Sequence, residues 1–116
     1  MYLSRRVREN LHFILLLSSS HQKQRCALIK SASQDQLTSI FEIFLNILTG
    51  CFHISLANKK LLKKYEDFIV LIANKNEKVE KKQKLMCKND EKLRIILYPF
   101  TKKLHLFTLK RIWRGK

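Results

Sequence analysis

The sequence predicts an all-α protein, a small helical bundle of about four to five short helices with a basic, partly irregular C-terminal tail. Three observations carry that prediction. Two glycines and one proline among 116 residues leave little turn chemistry for a sheet protein. Leu, Ile and Lys are abundant, and 46% of residues are apolar, more than a disordered basic chain would carry. Charge is also segregated. No lysine or arginine lies between Ala32 and Cys51, while the chain as a whole has 24 basic residues against 9 acidic ones. A chain of this length fits one domain with a modest core. Residues 1–86 are read as the helical domain, its core within 4–73, and residues 87–116 as a basic amphipathic tail.

Ser4 is placed to cap a first helix running to about Leu17, with Val7, Leu11, Ile14 and Leu15 on one face. Arg5, Arg6 and Arg8 fall in its opening turn, where cations oppose the macrodipole, so an anionic partner or a frayed end is expected there. Ser20 precedes a second helix, His21 to Ala32, with Cys26, Ala27 and Ile29 turned inward and Lys23, Arg25 and Lys30 outward. Ser33 and Gln36 form a capping box for a third helix, and Gly50 stands where a left-handed C-terminal cap is needed. Along this helix Leu37, Ile40, Phe41, Phe44, Leu45, Ile47 and Leu48 make one broad apolar face, the pattern of a core helix.

Beyond the loop 51–54, Ser55 begins an amphipathic helix whose apolar stripe is Leu61, Leu62, Tyr65, Phe68, Ile69 and Ile72. Its first half is basic, with Lys59, Lys60, Lys63 and Lys64 within little more than one turn. Asn74 and Asn76 mark a break. Residues 77–86 then place acidic residues first and Lys81, Lys82 and Lys84 later, the order the macrodipole favours, and become helical if Val79, Leu85 and Met86 dock on the rest. The core is therefore expected at Ile40, Phe41, Phe44, Leu45, Leu48, Leu62, Phe68, Ile69 and Ile72. Residues 93–98 suit a short strand or a last helical turn before Pro99. Residues 101–116 interleave Leu104, Leu106, Phe107, Leu109, Ile112 and Trp113 with Lys103, Lys110 and Arg111, a basic amphipathic helix suited to a membrane surface, a partner groove or nucleic acid.

Catalysis finds no foothold in the chain. It has no Gly-rich nucleophile elbow, phosphate loop or H-E-x-x-H motif, and no acidic concentration for a metal. His12, His21, His53 and His105 are read as ordinary surface or packed imidazoles. Cys26, Cys51 and Cys87 are odd in number and widely spaced, which suggests neither a disulfide framework nor a zinc ribbon. A four-ligand site with His53 is outweighed by the usual role of free cysteine as a small buried hydrophobe. No cofactor, metal or small-molecule substrate is expected. The N-terminus imitates a secretory leader, but its apolar run from Leu11 to Leu17 is short and contains His12, with Glu9 and Asn10 before it. No stretch approaches the ~18 continuous apolar residues of a membrane span.

The residues also carry a resemblance. Arg6…Asn10-Leu11…Leu15, Arg25-x-x-Leu28-Ile29-x-x-Ala32, Glu42-x-x-x-Asn46-Ile47-Leu48-x-Gly50, Lys59-Lys60-x-Leu62 and the lysine-rich stretch 75–84 together resemble a family of small basic proteins. That family is encoded by Maverick/Polinton and adintovirus-type elements of animal genomes. The resemblance spans roughly residues 5–86, with Asn46-Ile47-Leu48-Thr49-Gly50 its most specific part. After Met86 the relatives continue with a glycine pair and a Phe-Leu-Pro segment, which this chain lacks. The resemblance implies viral or transposon origin and a virion or genome-packaging role. It supplies no catalytic residues.

A net charge of +15 makes a polyanion the first partner to consider. The residues expected to contact nucleic acid, with DNA favoured and through phosphates only, are Arg5, Arg6, Arg8, Lys59, Lys60, Lys63, Lys64, Lys81, Lys82, Lys84, Lys110 and Arg111. Viral structural proteins are further expected partners, and the nucleus or a virion the expected location. The alternative is an interaction or membrane-surface-active protein that works through residues 104–113.

Overall fold

A computed structural model describes the backbone at residues 4–50 and 56–114 and the side chains at 4–50 and 59–102. The described residues form eight helices and no strand. These are α1 (Arg5–Glu9), α2 (Leu11–Ser19), α3 (Gln22–Ser31), α4 (Gln34–Leu48), α5 (Leu56–Lys64), α6 (Glu66–Ala73), α7 (Val79–Lys88) and α8 (Asp90–Arg114). The all-α class is as expected, while the count exceeds four to five because three expected or neighbouring segments are divided by single-residue breaks.

Each break has a local cause. Asn10 leaves the helical region (φ −109°, ψ 16°), and its amide Nδ2 donates to the Arg6 carbonyl at 2.8 Å and to Asp35 Oδ2 at 2.9 Å. An Asn side chain that bonds the preceding turn competes with helix continuation, so the first expected helix becomes α1 and α2. Tyr65 (φ −109°, ψ 20°) separates α5 from α6. Lys63 and Lys64 end one helix there and Glu66 and Asp67 begin the next, so both termini meet the macrodipole with the favourable sign. Asn89 repeats the arrangement between Lys88 and Asp90-Glu91, its side chain donating to the Leu85 carbonyl at 2.9 Å.

The caps predicted at Ser4, Ser33 and Gly50 are present, while Ser55 lies outside the described residues. Ser4 Oγ accepts from the Val7 N–H at 3.2 Å. The Ser33 and Gln36 side chains accept from each other's backbone N–H at 3.1 and 2.9 Å, and Gly50 has φ +74°. His21, rather than Ser20, is the residue that precedes the second expected helix, α3.

Helix α4 packs most extensively on α6, α2 on α8, α3 on α7 and α1 on α4. Ile40, Phe44, Leu62, Ile69 and Ile72 are buried as expected, with Phe41, Leu45 and Phe68 packed partly buried against them. The rings of Phe44 and Phe68 meet edge to face, centroids 6.1 Å apart. Leu48 departs from expectation at 40% exposed, because α4 ends there; Ile43, unpredicted, is wholly buried. Helix α7 meets its condition: Met86 is buried and Val79 and Leu85 pack on the core.

The C-terminal third differs most from expectation. The expected limit at residue 86 falls inside α7, and Leu93, Ile96, Leu97 and Phe100 belong to the same buried cluster as Ile14 and Leu17. Their i, i+3, i+4, i+7 spacing is a helical stripe, so residues 93–98 are helix and not strand. Pro99 lies inside α8. It cannot donate to the Ile95 carbonyl, a loss its own burial and that of Phe100 offset. Arg25 is the other correction. It is buried, not outward, while Ala27 is exposed.

Candidate nucleic-acid interface

Arginine and lysine are treated differently by this fold. Arg5 Nε donates to Glu9 Oε1 at 2.8 Å, and that carboxylate holds the guanidinium pKa above its ordinary value. Arg6 bridges α1 to α4 through Asp35 Oδ1 at 2.9 Å and Glu42 Oε1 at 3.0 Å. The Asn10 amide and the Arg6 guanidinium in turn draw the Asp35 carboxyl below its ordinary range. Arg25 Nη2 donates to Asp90 Oδ2 at 2.7 Å, a pair 6% and 8% exposed that ties α3 to the start of α8. Arg94 holds Glu91 at 2.6 Å. Five of the nine acidic residues are thus held by arginines, and Glu77 pairs with Lys81 at 3.3 Å. No other described lysine has an acidic partner at ion-pair distance.

The expected nucleic-acid residues therefore sort into groups. Arg5, Arg6 and Lys81 are exposed but internally neutralised. Arg8 is exposed without such a partner among the described residues. Lys59, Lys60, Lys63 and Lys64 are all exposed on α5, free of ion pairs among the described residues, with Lys64 Nζ lying 5.8 Å from the Tyr65 ring centroid. Beside them Ile47, Leu48, Leu62 and Ile69 line a surface between α4, α5 and α6 that Lys59, Lys63 and Glu66 also border. Lys82 is a correction. It is 3% exposed, its Nζ 4.3 Å from the Phe41 ring centroid, so it stands apart from the exposed basic surface. Burial lowers its pKa, while Glu77 acts in the opposite direction. Lys110 and Arg111 lie in the backbone of α8, their side chains outside the described residues.

Packing of α3 on α7 brings Lys30, the exposed Lys84 and Lys88 around one shallow cleft, which Glu80 also lines. Spacing within either helix could not show that neighbourhood. Gln83, whose Nε2 donates to the Ile29 carbonyl at 2.7 Å, sets the register between the two helices. In the same cleft Cys87 Sγ lies 3.5 Å from the Cys26 carbonyl oxygen, and burial first, then Cys26, pushes its thiol up to about 12. Cys51 and His53 lie outside the described residues, and His105 is described in its backbone alone, within α8. Among the described residues no three of His, Cys, Asp and Glu gather as metal ligands, and no helix is long and apolar enough to cross a membrane.

No family model, curated protein or solved structure matches the chain.

Proposed function

We propose that the protein is a non-catalytic, sequence-independent nucleic-acid-binding protein whose principal contact surface is α5. The observation that carries this reading is the unneutralised patch Lys59, Lys60, Lys63 and Lys64, four exposed ammonium groups on one nine-residue helix. Such groups hold only mobile counterions, which a phosphate backbone displaces with a gain in entropy. Lysine offers a point charge rather than a planar fork, so it favours phosphates over base edges. Arg8 and the Lys30, Lys84, Lys88 cluster extend the basic surface. The resemblance to proteins of viral and transposon elements supports a role in condensing such an element's genome, in the nucleus or the virion, beside other virion proteins.

Binding should be similar for DNA duplexes of unrelated sequence, and log K should fall linearly with log salt by about 0.9 per phosphate neutralised. Replacing Lys59, Lys60, Lys63 and Lys64 by Gln should lower that slope by as much as about 3.6, with little change in helix propensity. Lys82→Gln should leave the slope alone. Absence of binding at low salt, or a quadruple variant with the parent's slope, overturns the reading.

A second reading assigns the activity to the amphipathic end of α8, acting on a membrane surface or a partner groove. It is favoured by the continuation of the helix to Arg114. A chain ending after residue 102 keeps every described core residue and separates the two. Retained DNA binding, with no liposome binding by the full chain, supports the α5 surface, and liposome binding that is lost with the tail, without DNA binding by the full chain, supports the second reading.

A further inference from the structure

Lys82 is set apart from the other cations by its surroundings. Its side chain is buried on α7 against Phe41 of α4, and it makes no hydrogen bond or ion pair among the described residues. No buried polar side-chain atom among those residues lacks a partner, so its ammonium must keep a small accessible surface. Lys82 lines a cavity of about 540 Å³ bounded by α1, α4, the end of α6 and α7, a size within the range of about 300–1,000 Å³ typical of small-molecule sites. Phe41, Leu45 and Val79 supply apolar wall, and Lys75 adds positive charge, while Arg6 in the lining is already neutralised by Asp35 and Glu42.

The two carboxylates in the lining are already engaged. Glu42 accepts from Ser4 Oγ at 2.6 Å and from Arg6, and Glu77 pairs with Lys81. A buried cation that touches one aromatic face and feels Glu77 only at a distance, that carboxylate being paired with Lys81, remains short of direct counter-charge, which an anion entering the cavity would supply. We propose that this cavity binds a small amphipathic organic anion, a carboxylate with an aryl or alkyl body, the acid pairing with Lys82 while the body packs on Phe41, Leu45 and Val79. The site is independent of the nucleic-acid reading, because no lysine of α5 lines it.

The test titrates the full chain with 1-naphthaleneacetate, its neutral amide and inorganic phosphate, read by calorimetry and by backbone amide shifts in two-dimensional NMR. Naphthaleneacetate should bind with a dissociation constant of about 1 mM or tighter and shift Phe41, Leu45 and Lys82. The amide should bind about tenfold more weakly, as should Lys82→Met to the acid, because a charge-assisted hydrogen bond is lost. Thr38→Trp, which keeps Lys82 and fills the cavity from an adjoining position of α4, should abolish binding and decides the matter if Lys82→Met does not fold. No binding of the acid, equal binding of the amide, or phosphate binding as tightly as the aryl acid overturns the proposal.

Discussion

The side chains that depart furthest from sequence expectation are two cations, Arg25 and Lys82, each on the buried face of its helix. Periodicity treats a charged residue as outward, and here each stands where the apolar stripe would have it. Arg25 is satisfied by Asp90. Removing one partner of a buried pair strands the other, so Arg25→Ala should cost about 3–5 kcal/mol in urea denaturation, and Arg25→Met with Asp90→Leu should recover most of it. Lys82 titrates with the opposite consequence. Its folded-state pKa is lowered, so between that value and the ordinary 10.5 the unfolded chain binds more protons, and stability rises with pH across the window. Lys82→Met removes the buried charge and should melt above the parent at pH 7, with the gap narrowing by pH 10. A gap that does not change with pH would remove burial of the charge as its cause.

At the scale of elements, α4 carries the fold. Its caps at Ser33 and Gly50 bracket it from sequence alone, and Phe44, wholly buried against Phe68, sits at its packing contact with α6. Phe44→Ala should destabilise by about 3–5 kcal/mol, seen as a lower urea midpoint; a midpoint equal to the parent's would remove α4 from the centre of the core. The breaks at Asn10, Tyr65 and Asn89 are less legible in the sequence. Two of them carry a signature, with lysine before the break and paired acids after it, that reads as a helix end followed by a helix start. The apolar stripe continues across the break between α5 and α6, and periodicity follows the stripe.

Across the whole molecule, the end of the chain belongs to the core as far as Phe100. Burying Leu93, Ile96, Leu97 and Phe100 contributes about 1.5–3 kcal/mol each, a sum comparable with the whole stability of a small domain. A chain ending after residue 86 should therefore lose its cooperative thermal transition by circular dichroism. One ending after residue 102 should keep it. Equal melting of the two would place α8 outside the cooperative unit.

The sequence by itself determined the helical class, the extent of α4, the caps and the exposure of the α5 lysines, because each depends on residues within a turn or two of one another. Only the tertiary structure decided which charges are neutralised and which are left over. Asp35 and Glu42 reach back to Arg6, Asp90 reaches Arg25 across 65 residues, and Lys30 meets Lys84 and Lys88 only through the packing of α3 on α7. Net charge is a sum over the chain, whereas a binding surface is a difference between charges brought together. That difference is set by which helix faces meet, and those faces are chosen by the apolar stripes that bury Ile14, Phe44, Met86 and Leu97 in one core.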